Sequence, residues 1–230
     1  MTEFLSSSAF FAIILTLAAF AVGSAAQKKT KLAILNPILV GGVIVMVVLK
    51  GLDIPNAAYQ AGCKFLSYLL TPATICLAIG FYQQFQSLKK HLIAVILGVL
   101  AGTVCGLGFI YLTSKAFGLD QTVIASLLPK SITTAIGTVL SEEIGGVAAI
   151  TTFAISVTGI SGNVFGPALC RLFRIQDPIA QGVALGTSAH VVGTSKATEM
   201  SQLAGAVGSL SLTIAGLITV VLLSFMAQFI

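Results

Sequence analysis

Charge is scarce in this chain. Among 230 residues there are 12 Lys and Arg and 7 Asp and Glu, 8% in all, where a soluble domain usually carries about 25%. A water-facing surface cannot be built from so few charges. An ordinary soluble domain, a disordered chain and a coiled coil are therefore excluded. Catalytic signatures are missing as well: there is no GxSxG, no HExxH and no phosphate-binding GxxxxGK followed by Ser or Thr. Two histidines and four cysteines (Cys63, Cys76, Cys105, Cys170) without CxxC spacing do not make a zinc site. The cysteines read as small packing residues rather than ligands or disulfides. No enzyme, catalytic residue, metal or cofactor is expected, and the net charge of +5 is no sign of nucleic acid, because the basic residues sit between apolar runs.

What is abundant is apolar surface, at 57% of residues. The composition points to an all-α, polytopic integral membrane protein, with the lipid bilayer as its main partner. A first run covers about 4–26, with Glu3 before it and a lysine-rich stretch, 27–31, after it. A signal peptide has the reverse charge order, so this run is expected to remain as a transmembrane helix with a cytoplasmic C-terminal end. Further runs cover about 32–49, 61–86 (interrupted by Thr71-Pro72), 92–114, 144–165 (ending at Gly166-Pro167) and 203–229. Gly98, Gly102 and Gly106 form a small-residue stripe of the kind that lets helices approach closely.

Two stretches break this pattern. Residues 123–143 hold Pro129, Lys130, Glu142, Glu143 and several hydroxyls; residues 181–199 are rich in Gly, Ser and Thr and hold His190, Lys196 and Glu199. If both are re-entrant, six full crossings remain and Arg171 and Arg174 fall in the cytoplasm with 27–31 and 89–90. If both cross, there are eight crossings and that link lies outside. The positive-inside rule favours the first arrangement, in which the polar segments enter from opposite faces and both termini lie outside. The expected organisation is an N-terminal scaffold, 1–60, and a transport core, 61–230. An internal repeat is expected too. At an offset of 57, the segment 72–80 matches 129–137 at five of nine positions, and a weaker match lays 144–150 on 203–209. Chance similarity between apolar segments is the bland alternative to duplication.

A lysine or aspartate at mid-membrane costs about 2.5–3.5 kcal/mol on insertion scales, which is tolerated where it lines a wet cavity or meets a partner. Lys130, Glu142, Glu143, His190, Lys196 and Glu199 either do this or lie at helix ends and snorkel to water. Breaks at proline or glycine free backbone groups that need hydroxyls, water or a solute. Half-helix N-termini favour a carboxylate. Lys130 with Ser131, Thr133 and Thr134 from one segment, and His190, Gly193, Thr194 and Lys196 from the other, are the candidate binding residues. Thr71 and Pro72 would frame the cavity. Glu142, Glu143 and Glu199 are candidates for proton coupling or gating.

The segments Leu128-Pro129-Lys130-Ser131-Ile132-Thr133-Thr134, Ser141-Glu142-Glu143-Ile144-Gly145-Gly146, Asp177-Pro178-Ile179-Ala180 and Ser188-Ala189-His190 with Gly193-Thr194 and Lys196-Ala197 resemble the LrgB/CidB family over nearly the whole chain. Ala189 and Lys196 depart slightly from the expected pattern. The resemblance implies a multi-pass protein of the bacterial plasma membrane. Such proteins are called antiholin-like or holin-like, are linked with murein hydrolase activity and autolysis, and work beside a small LrgA/CidA-like membrane partner. It also implies transport of small carboxylates such as pyruvate, since a plant relative is a plastidial glycolate/glycerate translocator. The combined expectation is a carrier of pyruvate, glycolate or lactate, a homo-oligomer working by alternating access. The alternative is a holin-like or regulatory component.

Overall fold

The computed structural model describes residues 9–30, 35, 37–69, 72, 75–76, 82, 89 and 91–226. These are helical throughout, with no strand among the described residues. The chain divides into two compact units, Met1–Cys76 and Leu77–Ile230.

In the first unit, α1 (Ala9–Thr30) and α2 (Pro37–Gly51) form an antiparallel pair. Gly23 lies on Pro37, and Gly41 on Ala19. Two short helices follow, α3 (Asn56–Gly62) and α4 (Lys64–Ser67). Thr16 on α1 donates to the Ala12 carbonyl at 2.7 Å, so the Tyr59 hydroxyl 2.8 Å away must be the donor in their contact. The stretch 50–60, between the second and third apolar runs, is thus largely helical.

The second unit is framed by three helices of 25 residues each: α5 (Leu92–Ala116), α8 (Ala148–Leu172) and α10 (Gln202–Met226). At 1.5 Å per residue each is about 37 Å long, enough to cross a hydrocarbon core of about 30 Å. With α1 they make four helices, among the described residues, long and apolar enough to cross a membrane, and α2 is a shorter apolar helix. The expected stop at Gly166-Pro167 does not occur, because α8 runs through Pro167 to Leu172. Proline forfeits one backbone bond, but Gly166 beside it lets Leu185 seat against the helix and hold it. At the other end, α8 begins at Ala148 rather than 144. Ile144, Gly145 (φ 85°) and Gly146 instead close the preceding helix, with the Gly146 N–H on the Ser141 carbonyl at 2.7 Å.

Both polar stretches are broken helices that turn back on themselves. In the first, α6 (Gln121–Leu127) runs into a 3-10 turn, Leu128–Ser131, then extended Ile132 and Thr133, then α7 (Thr134–Glu143). Gly146, just after α7, lies against Ala125 and Ser126. The Val147 N–H donates to Ser126 Oγ at 2.8 Å. In the second, α9 (Pro178–Met200) is interrupted at Ala189 (φ −130°, ψ 22°) and His190 (φ 43°, ψ −139°). Gly193 touches the backbone of Leu185; a continuous helix would hold those residues about 12 Å apart. The short arms start cleanly because Asp120 and Asp177 cap them, accepting from Thr122 N at 3.2 Å and Ile179 N at 2.7 Å. The long helices before them end alike. Gly118 (φ 65°) and Arg174 (φ 57°) adopt the left-handed turn, and Leu119 and Ile175 bond back to Ser114 and Cys170.

The two hairpins occupy opposite ends of the frame. On α10, Gly182 and Gly186 pack on Ala204–Gly208, while Thr194 and Thr198 pack on Gly208 and Gly205, so both arms of the second hairpin lie near its start. The first hairpin lies toward its end: Ile136 reaches Gly216, and Ile124, Leu128, Ile132 and Leu140 share a cluster with Leu223. On α5 the order is the same, with Val183 and Thr187 at Gly98 and Gly102, and the first hairpin clustered with Leu107 and Ile110. An arm such as α7, at 10 residues, is about 15 Å long, half the hydrocarbon thickness.

Packing is inverted relative to a water-soluble protein. Phe109, Phe153, Phe165, Leu217 and Phe225 are exposed, while Ala, Gly, Ser and Thr fill much of the interior of α9 and α10. With no hydrophobic force between helices in lipid, small residues that allow close backbone approach do the packing.

Candidate functional site

Where the hairpin tips come together, the second unit has a partly open cavity of about 220 Å³, room for about seven waters at about 30 Å³ each. Its walls are α5 (Gly98, Gly102, Thr103, Gly106), the first tip (Leu128, Lys130, Ser131, Ile132), the first arm of α9 (Val183, Ala184, Thr187, Ser188) and α10 (Ala215, Thr219). The glycine stripe of α5 makes the space. A Cβ at Gly106 would meet nothing within 4 Å, and Cβ atoms at Gly98 and Gly102 would come to 3.3 Å from Val183 and Thr187.

The polar groups of the cavity are incompletely satisfied. Lys130 is half-buried and donates to Ser131 Oγ at 3.3 Å. Among the described residues no carboxylate pairs with it; the ion pair there is Lys196–Glu199. Thr103 and Thr187 are only 7% and 8% exposed, and their hydroxyls have no hydrogen-bond partner among the described residues. Ser211, outside the cavity lining, is a third such hydroxyl. A buried hydroxyl left unpaired costs about 1–3 kcal/mol. One ammonium and two open hydroxyls around a small space are what a small anion would satisfy: the cation takes the charge and the hydroxyls donate to the remaining lone pairs.

His190 sits at the second tip, one residue past the Thr187–Ala189 stretch, and packs into α8. Its backbone lies in a region that L-residues rarely adopt, a strain of about 1–3 kcal/mol. Three contacts hold it there. Its Nε2 lies 2.9 Å from the Ile155 carbonyl, its own carbonyl accepts from Thr194 Oγ1 at 2.9 Å, and its ring rests on Gly159, where a Cβ would come within 2.6 Å. The Nε2 contact to a carbonyl requires a proton on that nitrogen.

The other candidate residues are spread more widely. Thr133 caps α7 through its backbone, and its carbonyl accepts from Ile136 and Gly137. Thr134 is exposed. Gly193 and Thr194 are buried between the arms of the second hairpin and α10. Lys196 is held by Glu199 at 2.6 Å, away from the cavity lining. Glu142 and Glu143 are exposed at the end of α7. Pro72 is exposed in the first unit; Thr71, Lys90 and most of 72–80 lie outside the described residues. Reading the polar segments alone missed Thr103, Thr187 and Thr219, and took the glycine stripe for packing only. A signal was there: Leu128-Pro-Lys-Ser131 and Leu185-Gly-Thr-Ser188 share a Leu-x-x-Ser pattern at an offset of 57, which pairs Lys130 with Thr187.

The sequence profile described as the LrgB-like family matches residues 16–229. The antiholin-like protein LrgB of Bacillus mycoides (strain KBAB4) is 36% identical over 222 residues, covering 96% of this chain and 96% of that protein. Antiholin-like LrgB proteins of Bacillus cereus (strain B4264) and Bacillus anthracis (strain CDC 684 / NRRL 3495) are 35% identical with the same coverage. No solved structure matches the chain.

Proposed function

The chain belongs to the LrgB-like family, and from that premise we propose that it is a multi-pass carrier of small monocarboxylates, of the pyruvate, glycolate and lactate class, in the bacterial plasma membrane. The observation that carries this is the cavity of about 220 Å³ with one ammonium, Lys130, that has no carboxylate partner among the described residues, and two buried hydroxyls, Thr103 and Thr187, that have no hydrogen-bond partner among them. A single cation balances a single carboxylate, and the volume suits a solute of a few heavy atoms. Ser131 supports Lys130, and His190 fixes the opposing tip through Ile155.

The architecture supports a carrier over a pore. On this reading two half-depth hairpins enter the bilayer from opposite faces beside six crossings, four of them made by the helices long and apolar enough to span, and meet at the cargo site. The units 92–147 and 148–201 repeat one plan: a 25-residue helix, a left-handed turn, an aspartate cap, then a hairpin with a Leu-x-x-Ser tip. Inverted repeats with a binding site between broken helices are a common plan for alternating access. Lys89, Arg171, Arg174 and Lys196 outnumber Asp177 and Glu199 at one end, whereas Lys115 stands among Asp120, Glu142 and Glu143 at the other; on this reading the more basic end faces the cytoplasm. Glu142 and Glu143 at one end, and Glu199 at the other, are placed for gating or proton coupling. A homo-oligomer and a small LrgA/CidA-like membrane partner complete the proposal.

A second reading is favoured by the name that the relatives carry, antiholin-like: a membrane component that modulates murein hydrolase activity and autolysis. Purified protein in liposomes separates the two. A carrier gives saturable pyruvate uptake, competed by glycolate or lactate and raised by an imposed pH gradient if proton-coupled. Nonselective dye leakage without saturable uptake would reject the carrier.

A further inference from the structure

A second cavity, of about 380 Å³, lies between α5 and the start of α9, with His91, Asp177 and Ala180 in its wall. Gly98, Val183 and Ala184 line both this cavity and the smaller one. The two spaces therefore abut along one gap between α5 and the first arm of the second hairpin. The larger one is at the basic end of the helices, beside the link that holds Arg171 and Arg174. The far side of the smaller cavity differs in kind. Leu107, Ile110, Leu128 and Ile132 line it and belong to a buried apolar cluster that continues to Ile124 and Leu223. Apolar side chains close the cavity on that side.

We propose that the cargo cavity opens to the basic end alone, through a neck formed by Gly98, Val183 and Ala184, with the larger cavity as its vestibule and the leucine-isoleucine cluster as the closed gate. The neck is narrow for a stated reason: a Cβ on Gly98 would lie 3.3 Å from Val183 Cγ1, so any larger side chain there closes it. The carboxylate in the vestibule wall, Asp177, is engaged in capping α9 through the Ile179 N–H. In this state cargo binds and leaves by the basic end, and Gly98 sets the width of the path.

This rests on the carrier reading for its meaning but not for its test, which uses no cargo. The four native cysteines are replaced by alanine, and Ala184→Cys is introduced. Sealed vesicles of each orientation are treated with a membrane-impermeant, sulfonate-bearing thiol reagent, and Gln176→Cys in the exposed link before α9 marks the basic side. We expect Ala184→Cys to react from that side only, with Gly98→Leu slowing the reaction about tenfold or more. Val183→Phe, which narrows the neck from the other wall, stands in if Gly98→Leu is not monodisperse in detergent. Reaction from the opposite side or from both sides, no reaction while Gln176→Cys reacts, or no slowing by either folded neck variant would overturn the proposal. One-sided labelling with no saturable uptake would leave the neck standing and remove the carrier. Uptake without labelling would do the reverse.

Discussion

The two hairpins have one outline and are built by different devices. The first turns at Pro129 and then at Ile132 and Thr133, whose backbones are extended and unstrained. The second turns at His190, whose backbone is strained and pinned by a side-chain contact. At the offset of 57, Pro129 pairs with Gly186, Lys130 with Thr187, and Thr133 with His190. The first tip brings the charge, and its break is set by local sequence. The second brings neutral donors, and its break is set by packing against α8 and α10. Two similar outlines thus meet at a cavity whose charged lining residue, Lys130, comes from the first tip.

Substitutions at the paired positions test that contrast. Gly186→Leu has the largest expected effect: its side chain would run into the Gly208 backbone, costing about 3 kcal/mol in thermal unfolding in detergent. Pro129→Ala at the matching position should cost less than about 1 kcal/mol, and equal losses would erase the distinction. Lys130→Met should weaken uptake or its KM about 100-fold, and Thr187→Val about tenfold, because a charge-assisted bond outweighs a neutral one. Ser126→Ala removes the acceptor for the Val147 N–H and should lower stability by about 1–2 kcal/mol while leaving cargo affinity intact. At the second tip, His190→Gly should be about 1 kcal/mol more stable than His190→Ala, since only glycine accepts that backbone freely. Thr133→Gly should gain nothing over Thr133→Ala. Lys196→Ala should change stability by less than about 0.5 kcal/mol, because its partner Glu199 is largely exposed. A large loss of uptake there would return Lys196 to the binding site.

Much of this fold is legible in the residues. Long apolar runs over 92–114 and 203–229 mark helices within a few residues, and the polar content of 123–143 and 181–199 marks the broken segments. What composition hides is direction. Whether a chain continues or folds back at Ala189–His190 depends on Gly182, Gly186, Gly193 and Gly208 letting backbones touch, and a glycine in a sequence does not say what it will touch. Pro167 misleads for the same reason, its helix being kept whole by Leu185. Of the site, Lys130 and Ser131 stand out because a cation beside a proline in an apolar protein is conspicuous. Thr103 and Thr187 do not, because a threonine in a membrane helix usually bonds back to its own helix, as Thr113, Thr152 and Thr198 do here.

Gly118 and Arg174 close their helices with the same left-handed turn. For glycine that turn is free; for arginine it costs about 1 kcal/mol. Arg174→Gly would relax the backbone and at the same stroke delete a cation from the link that, in the proposed topology, faces the inner leaflet. At that one position, ease of folding and fidelity of insertion pull in opposite directions, and the natural residue sides with insertion.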